Sequence, residues 1–213
     1  METMVKLPCA KYKDWRQNID TGDLLLCMGN SKISKGIKWT ESKMDKVPMI
    51  FNCSNKTKNI KGFITHVGVF VKVLGQIFIV EANGKIVAFT RFSRIYKGYK
   101  GHLFIVRPKI TFITDRRFTK KPFEAPFNNV MLASRSLEVE GAKYDWKSIW
   151  RQLIRVFNKE VYKKNKYHEE LFCSELVNMA SGYFYADKEE WCTPHDIALQ
   201  SRDNFLVMIT DVK

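Results

Sequence analysis

The sequence predicts an α+β fold in one domain, residues 1–213, with a core from about 21 to 209. Two observations carry this. Apolar runs of strand length, punctuated by Gly and Pro, fill the front half, whereas apolar residues at helical spacing fill the back half. The elements fall in blocks rather than alternating, the pattern of an α+β domain. With 45% hydrophobic and 13% aromatic residues, the chain has enough apolar surface for a substantial core. It shows neither a fixed-period repeat nor a low-complexity stretch.

In order along the chain, Gly22–Met28 is a short apolar run behind a turn signal and predicts a strand. Residues 29–41 carry Ile33, Ile37 and Trp39 at roughly helical spacing. Residues 42–61, rich in Lys, Asn and Ser, predict a loop or insertion. Phe63–Val73 and Gln76–Ala82, separated by Leu74-Gly75, predict a hairpin. Lys85–Phe89 and His102–Arg107 complete a strand meander. Helical spacing then predicts helices over Glu124–Glu140, Trp146–Tyr162 and Glu170–Ala180. Thr193-Pro194-His195-Asp196 opens a short capped helix, and Phe205–Ile209 is a closing strand.

The net charge is +14, from 36 Lys plus Arg against 22 Asp plus Glu. Such an excess fits either a well-solvated surface or attraction to a polyanion, membrane face or nucleic acid. No helix-turn-helix, zinc finger or aromatic-basic RNA signature is present, so no specific nucleic acid is expected. The five cysteines, Cys9, Cys27, Cys53, Cys173 and Cys192, contain no CxxC pair and make an odd count. Residues 1–20 lack the apolar stretch of a signal peptide, and no apolar run is long enough to span a bilayer. The expectation is a cytoplasmic, reduced protein whose thiols are all free.

Three residues carry the chemical expectation. His66 lies in the apolar run Phe63-Ile64-Thr65-His66-Val67-Gly68-Val69. Alternation places Ile64, His66, Gly68 and Phe70 on one face, and Phe63, Thr65, Val67, Val69 and Val71 on the other. A histidine there must satisfy both ring nitrogens, which a structural role does as well as a functional one. Glu81 is an acid in the second run of the hairpin, and paired strands lie about 5 Å apart, near enough for it to bond His66. An edge acid facing water fits that pattern equally, and Asn83 is an alternative orienting group. Cys173 follows polar residues and precedes a helical apolar pattern, which places it at a helix N-terminus. Amides and the macrodipole favour a thiolate there and can receive an oxyanion. A buried inert Cys is the commoner outcome for an isolated thiol. His102, His168 and His195 carry no assigned role, and Cys9, Cys27, Cys53 and Cys192 show no partner in the sequence.

These pieces resemble the circularly permuted papain-like thiol hydrolases of the NlpC superfamily, in particular the YiiX/YaeF-like branch. The resemblance rests on Thr21-Gly22-Asp23-Leu24-Leu25, Ser31 to Trp39, Thr65-His66-Val67-Gly68-Val69, Glu81-Ala82 and Gly101–Arg107. It continues through Tyr144-Asp145-Trp146, Phe172-Cys173-Ser174-Glu175-Leu176-Val177 and Thr193-Pro194-His195-Asp196-Ile197. The histidine precedes the cysteine, as a permuted papain-like order requires. The resemblance implies an antiparallel sheet carrying the His, packed against a helix whose N-terminus carries the Cys. It also implies Cys173 as nucleophile, His66 as base, Glu81 as the group orienting the ring, and Tyr144 and Asp23 at the substrate. No metal or organic cofactor is implied. Two departures stand out: the enlarged segment 42–61, and the absence of the export signal that many bacterial relatives carry.

The function so implied is a cysteine-dependent hydrolase or acyltransferase acting on an amide or acyl-ester bond, through a Cys-His-Glu triad and an acyl-enzyme. Its substrates would be peptide or other amides, or lipid acyl groups. The alternative is a non-catalytic basic module on the same fold, binding anionic membrane or nucleic acid.

Overall fold

The computed structural model describes residues 3–44, 46–54, 59–108, 111–113, 124–126, 129–146, 170–181 and 192–210. Its first elements are β1 (Thr3–Leu7), β2 (Cys9–Ala10), α1 (Tyr12–Trp15), β3 (Leu24–Gly29), α2 (Lys32–Lys43), β4 (Met49–Cys53) and β5 (Ile60–Gly62). Then come β6 (His66–Val73), β7 (Gln76–Ala82), β8 (Val87–Arg91), α3 (Phe92–Tyr96), β9 (Gly101–Val106), β10 (Thr111–Ile113) and β11 (Glu124–Pro126). The last are α4 (Asn129–Leu137), β12 (Lys143–Tyr144), β13 (Glu170–Leu171), α5 (Cys173–Ala180), α6 (Pro194–Gln200) and β14 (Phe205–Ile209). The mixed α+β character expected of the sequence is what is found.

A seven-stranded sheet in the order β2-β14-β9-β3-β6-β7-β8 organises the domain. All its neighbours are antiparallel except β2 and β14. Both faces are covered. Leu24, Leu26, Val67, Val69, Val80 and Phe104 face a cluster with Leu132 and Ala133 of α4, Leu176 and Val177 of α5, and Ile197 of α6. Leu25, Cys27, Phe70, Ile79, Leu103 and Ile105 form the opposite cluster with Tyr12 of α1 and Phe92 of α3. Burial on two sides explains why the run 67–71 is continuously apolar while its side chains still alternate between faces. The β6–β7 hairpin turns on Leu74 (φ 48°) and Gly75 (φ 73°), the positive-φ pair that a two-residue turn needs.

Three expectations are corrected. Residues 42–61 are not simply a loop: β4 pairs in parallel with β1 and antiparallel with β5, making a separate three-stranded sheet. Met49, Phe51 and Cys53 alternate inward, and Phe51 stacks on Phe104 at 4.1 Å between ring centroids. That short alternation is hidden in the sequence by its polar flanks. Cys9 and Cys53 are joined, with Cα atoms 5.8 Å apart, so the thiols are not all free. The parallel register of β1 on β4 brings them together, which their irregular spacing did not signal. Finally, the helix expected over 124–140 is shorter, with strand β11 ahead of α4, and the one over 170–180 begins only at Cys173. The helix expected over Trp146–Tyr162 lies, from residue 147 on, outside the described residues. Among the described residues no helix is long and apolar enough to cross a membrane.

Candidate active site

His66 is the first residue of β6, so its ring sits at one end of the sheet rather than inside the ladder. The segment leading to it is fastened at several points. Thr65 donates its amide to the Cys27 carbonyl at 2.8 Å, and its hydroxyl accepts the Gly29 amide at 3.0 Å. One residue earlier, the Ile64 amide donates to Nδ1 of His195 at 3.4 Å. His195 is fully buried and donates from Nε2 to the Val47 carbonyl at 2.9 Å. Burial pushes its pKa down, in keeping with a neutral ring whose two nitrogens are both used. His195 is thus a structural pin for the His66 segment and not a second base.

Glu81 comes from β7. The register Phe70↔Ile79, continued two residues, sets Gly68 opposite Glu81, with His66 one diagonal step beyond. A long side chain spans such a diagonal. Glu81 is buried, and its Oε2 lies 2.6 Å from His66 Nε2. Gly68 lets β6 and β7 pack closely there, because a Cβ would lie 2.7 Å from Ile79 Cδ1 and 3.1 Å from the Val80 carbonyl oxygen.

Cys173 is the first residue of α5, behind the N-cap Phe172, and is buried. α5, which begins at Cys173, packs on β6, the strand that begins at His66. From there the Cys173 charge acts on the His66 ring. Burial opposes charging of that ring, but Cys173 and then Glu81 outweigh it and raise its pKa well above the ordinary histidine value. With Nε2 on Glu81, Nδ1 is the nitrogen left for the sulfur. Glu81 is thus in direct contact with the His66 ring, and the Cys173 charge acts on the same ring.

Tyr144 joins this cluster. It belongs to β12, whose parallel pairing Tyr144↔Leu171 sets it beside the residues that precede Cys173. Burial first, then the Cys173 and Asp145 charges, push its phenol pKa up, so it stays protonated and able to donate. Trp146 packs on Tyr144 at 5.0 Å between ring centroids and donates from its indole to the Gly84 carbonyl at 2.8 Å.

Asp23 does not join it. It lies just ahead of Leu24, at the other end of β3 from Cys27, the residue paired with His66. Its carboxylate is fully buried, receives Arg107 Nε and Nη2 at 2.8 and 2.9 Å, and accepts the Asp20 amide at 2.9 Å. Asp23 therefore ties the start of β3 to the end of β9, at the opposite end of β3 from the His66 pairing. Asn83 is likewise occupied with the turn amides of Lys85 and Ile86.

Two neighbours of the cluster carry no signal in the sequence. Cys27 stands opposite His66 in the β3–β6 register, and Tyr99 acts on its thiol. Burial, and then the Glu81 charge, push the Cys27 thiol well above its usual range, so this second thiol is held protonated. Tyr99, from the turn after α3, is shifted up in turn by burial and by Cys27. The uniformly apolar run around Cys27 gives no sign of either contact. No group of three His, Cys, Asp or Glu side chains suited to a metal occurs among the described residues.

No family model matches this chain, and no curated protein matches it. Among solved structures it is similar to the metalloprotein YiiX from Escherichia coli O157:H7, at 16% identity and a TM-score of 0.44, over 88% of each chain. A likeness that loose says nothing about the chemistry of the site.

Proposed function

We propose that this protein is a cysteine-dependent hydrolase or acyltransferase acting on an amide or acyl-ester bond. The observation that supports it is the 2.6 Å contact between Glu81 and His66 on a ring whose other partner is Cys173. His66 takes the Cys173 proton, and Sγ attacks a carbonyl carbon while the first-turn amides of α5 receive the oxyanion. As the C–N or C–O bond breaks, the imidazolium returns its proton to the leaving amine or alcohol. Water or another acceptor, deprotonated by His66, then attacks the thioester and frees the thiol. Glu81 holds the ring in register and stabilises its charged form, and Tyr144 lines the acyl side.

The test is intact-mass detection of an acyl adduct after mixing with activated acyl esters, followed by peptide mapping. An adduct is expected on Cys173, absent from Cys173→Ala and strongly slowed in His66→Ala. No adduct, or one formed equally on other cysteines, would return the protein to the class of non-catalytic basic modules.

A further inference from the structure

α2 carries one exposed stripe of basic and aromatic character. Lys32, Lys35, Trp39 and Lys43 recur at helical spacing and all four are exposed, Trp39 by 42%. The opposite face is committed to the domain through the buried Thr40 and Glu41. Glu41, the sole acid in the helix sequence, is paired with Lys46 at 3.0 Å and so does not neutralise the stripe. Lys38 is turned aside to Asn30 at 3.2 Å. What remains is an indole flanked on either side by ammonium groups along about 18 Å of helix.

We infer that this stripe of α2 docks the protein on an anionic membrane surface. Lysines near such a surface are attracted individually to anionic headgroups, and an indole settles at the headgroup level with its ring toward the acyl chains. The face of α2 that carries Thr40 and Glu41 is buried in the domain, so the helix lies along the surface by its outer stripe. The net charge of +14 adds a general attraction toward an anionic surface.

The same helix abuts the site. Its first turn packs on Gly29, where a Cβ would meet the Ser34 hydroxyl and come within 2.8 Å of Tyr99 Oη. The Gly29 amide is bonded to Thr65, the residue before His66. The docked helix therefore starts beside the sheet end that carries His66. Resting on the proposed thiol chemistry, this names a membrane-borne acyl lipid as the substrate class; the docking itself does not depend on that chemistry.

The experiment is flotation of the full chain with phosphatidylcholine vesicles, with and without phosphatidylglycerol, at low and physiological salt. The wild type is expected to float with the anionic vesicles only, and less at higher salt. The K32Q/K35Q/K43Q variant should lose partitioning on the order of a hundredfold. W39A should weaken what binding survives at physiological salt, and Cys173→Ala should float as the wild type does. Circular dichroism checks that these surface variants keep the fold. The inference is overturned if the wild type ignores anionic vesicles or if the lysine variant floats undiminished. It is equally overturned if an RNA oligonucleotide occupies the stripe in preference to the vesicles. Flotation with no acyl adduct on Cys173 would keep the docking and remove the lipid-substrate reading.

Discussion

Glu81 reaches His66 diagonally across the β6–β7 ladder, past Gly68, and ends 2.6 Å from its Nε2. The contact leaves one nitrogen of a half-buried ring for Cys173. That geometry, and the elements that maintain it, can each be probed by substitution.

Glu81→Gln keeps a hydrogen-bonding group near Nε2 but removes the charge. The His66 pKa should fall from its raised position, because one of its two supports is gone. Histidine titration by NMR reads that shift directly. Turnover of any substrate found by acyl probes should drop on the order of a hundredfold.

Gly68→Ala tests how closely β6 and β7 must pack beside the pair. The added methyl meets Ile79 Cδ1 at 2.7 Å and the Val80 carbonyl oxygen at 3.1 Å, so β6 and β7 must shift where the two side chains approach. Urea unfolding should show a loss of about 1–3 kcal/mol, together with slower modification of Cys173. An unchanged midpoint would show that the hairpin has room to spare.

Asp23→Ala separates the structural acid from the chemical one. It breaks a pair whose acid is fully buried but whose Arg107 partner is one-third exposed (33%). The cost should sit below the roughly 3–5 kcal/mol of a fully buried pair, at about 2 kcal/mol. Cys173 reactivity in the folded variant should match the wild type, which a substrate-binding role for Asp23 would not allow.

His195 and His66 pull stability in opposite directions with pH. His195 is depressed by burial, so the unfolded chain takes up its proton first, and this contribution is lost as pH falls through about 6.5. His66 is raised, so its contribution is full below about 6.5 and fades as pH climbs through its folded value. Replacing His195 by Gln should therefore flatten the acid side of a urea-midpoint profile and leave the alkaline side intact. A profile unchanged by the substitution would mean that the ring does not titrate on unfolding.

Much of the architecture was legible because local signals agreed with it. The Leu74-Gly75 turn between two apolar runs specified the hairpin, and Thr193-Pro194-His195-Asp196 specified a helix start that carries a full capping box. The His66–Glu81 contact was legible because both residues interrupt apolar runs, where an ionisable side chain must find a partner. What escaped were relationships between distant segments. The parallel pairing of β1 with β4, the Cys9–Cys53 link and the Asp23–Arg107 pair depend on registers that no local pattern encodes. Cys27 was unreadable for the same reason: nothing near it in the chain marks the strand end that His66 would share.

The most direct test of a Cys173–His66 pair is site-resolved iodoacetamide labelling against pH, in the wild type and in His66→Ala. Cys27 and Cys192, both buried, serve as internal references. Cys173 should label faster than these reference thiols, and His66→Ala should abolish that advantage while Cys27 stays unreactive in both. Cys173 labelling no faster than the reference thiols, with no response to His66→Ala, would contradict the pairing and the catalytic role built on it.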